Sequence, residues 1–169
     1  MTALTATQAA ELEQTIRDIP DPEIPVISID DLGIVRDIEV EGDVVRVTIT
    51  PTYSGCPAVQ AITDQIDWTV RQHGLVAEVV TTLSPAWTTD WMTEKGRDSL
   101  RRFGIAPPSG AGPVRPAGPV PVGLSVRRVA CPSCGSDDTE ELSRFGSTAC
   151  KALRRCLACQ EPFEEFKAI

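Results

Sequence analysis

"GDVVRVTITPTYSGCPAVQAITDQIDWTV", residues 42–70, contains a change of period that sets the fold of the N-terminal half. Val45, Val47 and Ile49 alternate with Arg46, Thr48 and Thr50, the two-residue repeat of a half-buried strand. From Pro57 to His73 the apolar positions become Val59, Ile62, Ile66 and Val70, the three-and-four spacing of a helix with one buried stripe. Upstream, Ile34, Arg36, Ile38 and Val40 alternate with Val35, Asp37 and Glu39, so Glu41-Gly42-Asp43 turns a hairpin. Downstream, Gly74 closes the helix and "LVAEVVTTL" supplies a third strand. A helix over residues 5–18 comes first, stopped by the two prolines of "DPEIP" at 21–25, and "TTDWMTEKGRDSLRRFG" reads as a last helix ending near Gly104. The order α-β-β-α-β-α predicts an α+β fold, a small sheet with helices packed against it.

The join between strand and helix carries Cys56, which the pattern places at the N-cap with Pro57 at the first helical position. Unpaired amides there favour the thiolate, the form that binds metal or attacks electrophiles, and Ser54 and Gly55 let a ligand approach the backbone. The competing reading is a small capping residue with no chemical role. Nucleophilic catalysis fares worse. The one histidine, His73, lies far along the same helix, about 25 Å from the sulfur at ~1.5 Å rise per residue. His73 reads instead as a helix C-terminal residue beside Gly74. Asp21, Glu23, Asp30 and Asp31 flank "EIPVISI" and read as starts of structural elements rather than as a cation site. Trp87 and Trp91, with Asp90 between them, are spaced to share a face of the last helix and its entry turn. They are core anchors on one reading and a partner-binding patch on the other. The sequence shows no phosphate-cradling glycine loop, nucleophile elbow or histidine set, so no complete active site can be assembled, and no catalytic residue is assigned.

The chain of 169 residues accommodates one ordinary domain and a small one. Its division falls in "APPSGAGPVRPAGPVPVG", residues 106–123, where proline and glycine dominate and no apolar period survives. The expected organisation is a domain over 1–105, a linker over 106–125 and a second domain over 126–169. Formal charge is −8, and residues 1–125, with 9 basic and 17 acidic side chains, hold all of the excess. Such a chain repels phosphate backbones and anionic membrane surfaces, which disfavours nucleic acid and membrane as partners. The first residues do not resemble a secretory signal, and a reducing cytoplasm is expected.

Cys131-Pro-Ser-Cys134 and Cys156-Leu-Ala-Cys159 form two knuckles. Each tight turn aims two sulfurs at one point, and four thiolates satisfy tetrahedral zinc. The segments 139–145 and 149–155 can pair as a hairpin between the knuckles, an all-β zinc ribbon. So small a module has little apolar core, and bound metal supplies its folding energy. A rubredoxin-like iron centre is the rival filling. Cys150 fits neither knuckle: it is an inert strand residue or a partner of Cys56 in a more labile site. Lys151, Arg154 and Arg155 read as a solvated basic face.

"DPEIPVISIDDLGIV", "TPTYSGCPAVQ", "PAWTTDWMT", "FGSTACKAL" and "CLACQEPFEEFK" together resemble the D subunit of the bacterial phenylacetyl-CoA epoxidase system of aerobic phenylacetate degradation, over about residues 20–108 and 131–169. The N-terminal part also resembles the wider family of iron–sulfur assembly and targeting factors, whose cysteine Cys56 matches. The resemblance implies an accessory maturation factor that is not itself catalytic. Such a factor would assist insertion of iron or an iron–sulfur cluster into the oxygenase or reductase subunits, with zinc in the ribbon and a transient iron or cluster on Cys56, alone or with Cys150. The alternative is a non-catalytic interaction subunit of the same complex without metal transfer. One thiol cannot hold a cluster, so the other ligands come from the ribbon, a client or a second copy, and a homodimer is expected on that ground alone.

Overall fold

The computed structural model describes residues 5–108 and 128–168, and most of the expected linker lies outside them. The described chain forms two compact units. One comprises the residues up to Trp87 with Trp91–Gly96; the other comprises Thr88–Asp90 and the described residues from Arg97 on.

The first unit opens with α1 (Ala6–Arg17), which Thr5 caps: its hydroxyl accepts from the Gln8 N–H, while the Gln8 side chain accepts from the Thr5 N–H. Leu12 and Ile16 are its buried positions. The strands β1 (Val35–Glu41) and β2 (Val44–Ile49) form the expected antiparallel hairpin, turned at Gly42 with φ +64°. α2 (Ala58–Gln72) then crosses over to β3 (Val76–Thr81), which pairs parallel to β2, giving the order β1-β2-β3. Register separates two faces. Val45, Val47 and Ile49 are buried with Ile62, Ile66 and Val70, whereas Glu39, Arg46 and Glu78 stand in one row across the other face, with Arg46 bridging the two carboxylates.

Two expectations about helix ends need correction. α2 begins at Ala58 with Pro57 as its N-cap and no side-chain cap, so Cys56 precedes the cap. The reason is local: the Cys56 N–H donates to the Tyr53 carbonyl at 3.2 Å, closing a turn that holds Cys56 outside the helix. The single helix expected after Thr88 is split into a 3₁₀ turn at Thr89–Trp91 and α3 (Glu94–Phe103). Thr93 causes the break, since its hydroxyl accepts the Gly96 N–H at 3.0 Å as an N-cap does, and donates to Asp31 Oδ1 at 2.6 Å.

The second unit contains a four-stranded sheet ordered β4-β7-β6-β5, with β4 (Ile105–Ala106), β5 (Thr139–Ser143), β6 (Lys151–Cys156) and β7 (Pro162–Phe166). β5 and β6 are the hairpin expected between the knuckles. Ile105–Ala106, expected to end the first domain and start the linker, instead pair parallel to β7. The core of this unit gathers Ala106, Val129, Phe163 and two cysteines, Cys131 and Cys156.

Candidate metal centre

Both knuckles are shaped by backbone turns. In the first, the Gly135 N–H donates to the Cys131 carbonyl at 2.8 Å and the Cys131 N–H to Ser136 O at 2.9 Å, with Gly135 at φ +77°. In the second, the Cys156 N–H donates to Glu161 O at 3.0 Å and the Cys159 N–H approaches the Cys156 sulfur at 3.5 Å. The turns converge four sulfurs: Cys131 and Cys159 Sγ lie 3.8 Å apart, Cys134 and Cys156 Sγ 3.6 Å apart, and all four lie within 4.8 Å of one another. A tetrahedron with metal–sulfur bonds of about 2.3 Å has sulfur–sulfur edges of about 3.8 Å. The donor set therefore fits zinc in chemistry and in size. Cys131 and Cys156 are buried and Cys134 and Cys159 exposed, so the centre sits at the rim of the core.

Electrostatics shows why this cluster calls for a cation. The Cys159 N–H and other donors lower the Cys156 thiol to about 7. Cys159 is raised to about 12: the Glu161 backbone lowers it, but the Cys156 sulfur, burial and the Cys134 and Cys131 sulfurs prevail. Thiols this close cannot all ionise without a compensating positive charge.

The other candidate residues fall elsewhere. Cys56 is half-buried in the loop before α2. Cys150 is buried in the second unit, its sulfur 3.0 Å from the Thr148 hydroxyl. Trp87 is a core residue and not a surface anchor, because its ring is 3 % exposed and its indole N–H donates to the Leu32 carbonyl at 3.1 Å. Trp91 is half-buried under the Arg36 guanidinium, 3.6 Å from the ring centroid, while Asp90 is exposed. The expected solvated basic face is also corrected: Lys151 and Arg154 are buried, and Glu164 and Glu165 pair with them at 2.8 and 3.0 Å. Arg155 pairs with Glu140. The acidic cluster is engaged within the fold: Asp21 accepts the N–H groups of Glu23 and Ile24, Asp30 pairs with Arg17, and Asp31 with Lys95. Sequence reading passed over Trp68, 58 % exposed on α2. Its signal was present, for it lies two residues beyond Ile66 and hence off the buried stripe.

A parallel βαβ unit completed by an antiparallel strand is followed by a four-thiol ribbon, and the two parts match two family models. Residues 9–80 match the family model described as iron-sulfur cluster assembly protein, and residues 117–167 that of the PaaD zinc beta ribbon domain. A solved DUF59 domain from Bacillus anthracis shares the first fold, with a TM-score of 0.50 and 23% identity over 54% of this chain and 90% of that one. The "Fe-S protein maturation auxiliary factor" of Porphyromonas gingivalis (strain ATCC BAA-308 / W83) is 33% identical over 88 residues, covering 50% of this chain and 83% of the relative. A match that spans the whole chain is to the putative D subunit of 1,2-phenylacetyl-CoA epoxidase from Escherichia coli (strain K12). It is 44% identical over 170 residues, 100% of this chain and 98% of that one. The chain belongs to the family of this epoxidase D subunit.

Proposed function

We propose that the chain is a non-catalytic maturation factor for a phenylacetyl-CoA epoxidase system, assisting insertion of iron or an iron–sulfur cluster into an oxygenase or reductase subunit. The observation that carries the reading is the pairing of two unlike thiol environments in one chain. Four sulfurs are mutually arranged at the edges of a tetrahedron, and one, Cys56, stands on a loop inside the region that matches the iron-sulfur assembly model.

In this reading Cys131, Cys134, Cys156 and Cys159 hold zinc, which staples the ribbon and takes no part in transfer. The two turn backbones fix the sulfurs' directions, and the buried pair Cys131 and Cys156 ties the centre to the core. Iron is cargo. Cys56 offers it one thiolate in the loop between β2 and α2, directly before the Pro57 N-cap. The client or a second copy supplies the remaining ligands, and ligand exchange moves the cargo to the client. Cys150, buried and hydrogen-bonded to Thr148, is the poorer donor and serves packing.

Cys56→Ser separates this role from a purely structural one. The variant should fold, retain zinc and still associate with its partner subunits, while the client purified with it is poor in iron or cluster. A client with full metal content and activity would leave the chain as an interaction subunit.

A further inference from the structure

The first unit carries a groove that the metal chemistry does not use. Two adjoining cavities, of about 480 and 310 Å³, share Ile19, Pro20 and Gln65 and run between the C-terminal end of α1, the turn over residues 20–25 and the outer side of α2. Ala61, Gln65, Trp68 and Gln72 form one stripe along α2. Trp68 is the most prominent group there, being more than half exposed where tryptophan is ordinarily covered.

The opposite wall is stiff. Pro20, Pro22 and Pro25 fix their own backbone angles, Asp21 Oδ1 holds the N–H groups of Glu23 and Ile24 at 2.9 Å, and the Asp21 N–H donates to Ile27 O at 2.9 Å. A groove with such a wall pays little ordering entropy when filled. Its charge is one-sided. Glu11 and Asp18 share the α1 face of the lining residue Thr15, and Asp64 is one helical turn before Trp68. Of the nearby cations, Arg17 is engaged with Glu13 and Asp30 and Arg71 with Asp67, while Lys95, paired with Asp31, also lies within electrostatic reach of Asp18.

We propose that this groove docks a lysine- or arginine-bearing amphipathic segment of a fellow subunit, with an apolar side chain set against Trp68 and cationic side chains meeting Glu11, Asp18 and Asp64. The proposal rests on the accessory role above and names how the client is held. The acidic rim excludes nucleic acid and anionic lipid. It also disfavours a second copy, which would bring the same excess of acidic side chains to the contact.

The full-length chain carrying photoreactive p-benzoylphenylalanine at position 68 is co-expressed with the other epoxidase subunits, irradiated, and mapped by mass spectrometry. The expected product links position 68 to a lysine- or arginine-rich segment of one fellow subunit. Trp68→Ala should weaken binding of that purified subunit at least tenfold, about 1.4 kcal/mol, with zinc content unchanged. Wild-type affinity should fall as sodium chloride rises. Crosslinks confined to this chain or a second copy, crosslinks to an acidic segment, no crosslink, or undiminished Trp68→Ala binding would each overturn the proposal. The maturation role fails separately, when Cys56→Ser binds and still yields a fully metallated client.

Discussion

Withdrawing metal from the four-sulfur centre should unfold the second sheet while leaving the first unit in place. The large buried apolar side chains of the second unit are Leu100, Ile105, Val129, Phe163 and Phe166. At roughly 1.5–3 kcal/mol each they contribute about 8–15 kcal/mol. A zinc ion bound by thiolates contributes about 10–16 kcal/mol to the folding of a small domain, as much as all five together. Two of the five side chains of the local core cluster are themselves ligands, Cys131 and Cys156, so loss of the ion also leaves unanchored thiols inside. Cys156→Ser removes a sulfur with no exposure, a position that water cannot take over without opening the core. Hydrogen exchange read by mass spectrometry distinguishes the parts. In chelated protein and in Cys156→Ser, peptides over Lys151–Cys156 and Pro162–Phe166 should lose protection by several orders of magnitude, while peptides over Val44–Ile49 and Ala58–Gln72 keep theirs. Near-native protection of the β6–β7 pair in metal-free protein would refute the reasoning, because the apolar side chains would then suffice without the ion.

Two further perturbations test the first unit. Gly33 has φ +78°, and a Cβ there would stand 2.6 Å from the Trp91 carbonyl oxygen, so Gly33→Ala should destabilise by about 2–4 kcal/mol in urea titration; a loss under ~0.5 kcal/mol would contradict that contact. Asp31 sits below its ordinary range: burial alone would raise it, but the Lys95 ammonium and the Thr93 and Ser28 hydroxyls outweigh that. A depressed folded value makes its contribution complete above the unfolded value near 3.9 and lost as pH falls through the folded one. Asp31→Asn should therefore cost about 1–3 kcal/mol at pH 6 to 7, and the gap in Tm from wild type should close below about pH 4. A gap independent of pH would show that the charge is not its source.

Local signals carried most of the first unit and half of the second. The switch from Val45-Val47-Ile49 to Ile62-Ile66-Val70 is a statement about which faces are buried, and the observed sheet and helix bury those faces. Glycines at 42 and 74 mark left-handed turns that a side chain would strain. What escaped depended on partners distant in sequence. "PFEEF" does not read as a buried strand, because Glu165 interrupts its apolar positions; that carboxylate is buried only because Arg154 on the neighbouring strand meets it. β4 is two residues long and acquires its identity from Glu164 and Glu165, far along the chain. Trp87 and Trp91 looked equivalent at helical spacing, yet Thr93 starts the helix after both, and their environments diverge.

The same contrast between local and distant determinants bears on metal handling. In the ribbon, each C-x-x-C turn fixes two sulfur directions by backbone hydrogen bonds, and the sheet then joins the two turns so that four sulfurs converge. A closed set of four thiolates holds its ion and is poorly suited to giving it up. Among the described residues no other group of three or more histidine, cysteine, aspartate or glutamate side chains brings ligand atoms together. On the maturation role proposed above, a transfer site built from the described residues is incomplete, with coordination finished by the molecule that receives the cargo. Cys56 suits that role through its position on a loop, which tolerates the approach of a second surface. If the chain delivers metal as proposed, delivery depends as much on how the client is held against the first unit as on the thiol, and docking and metal transfer should be separable by mutation.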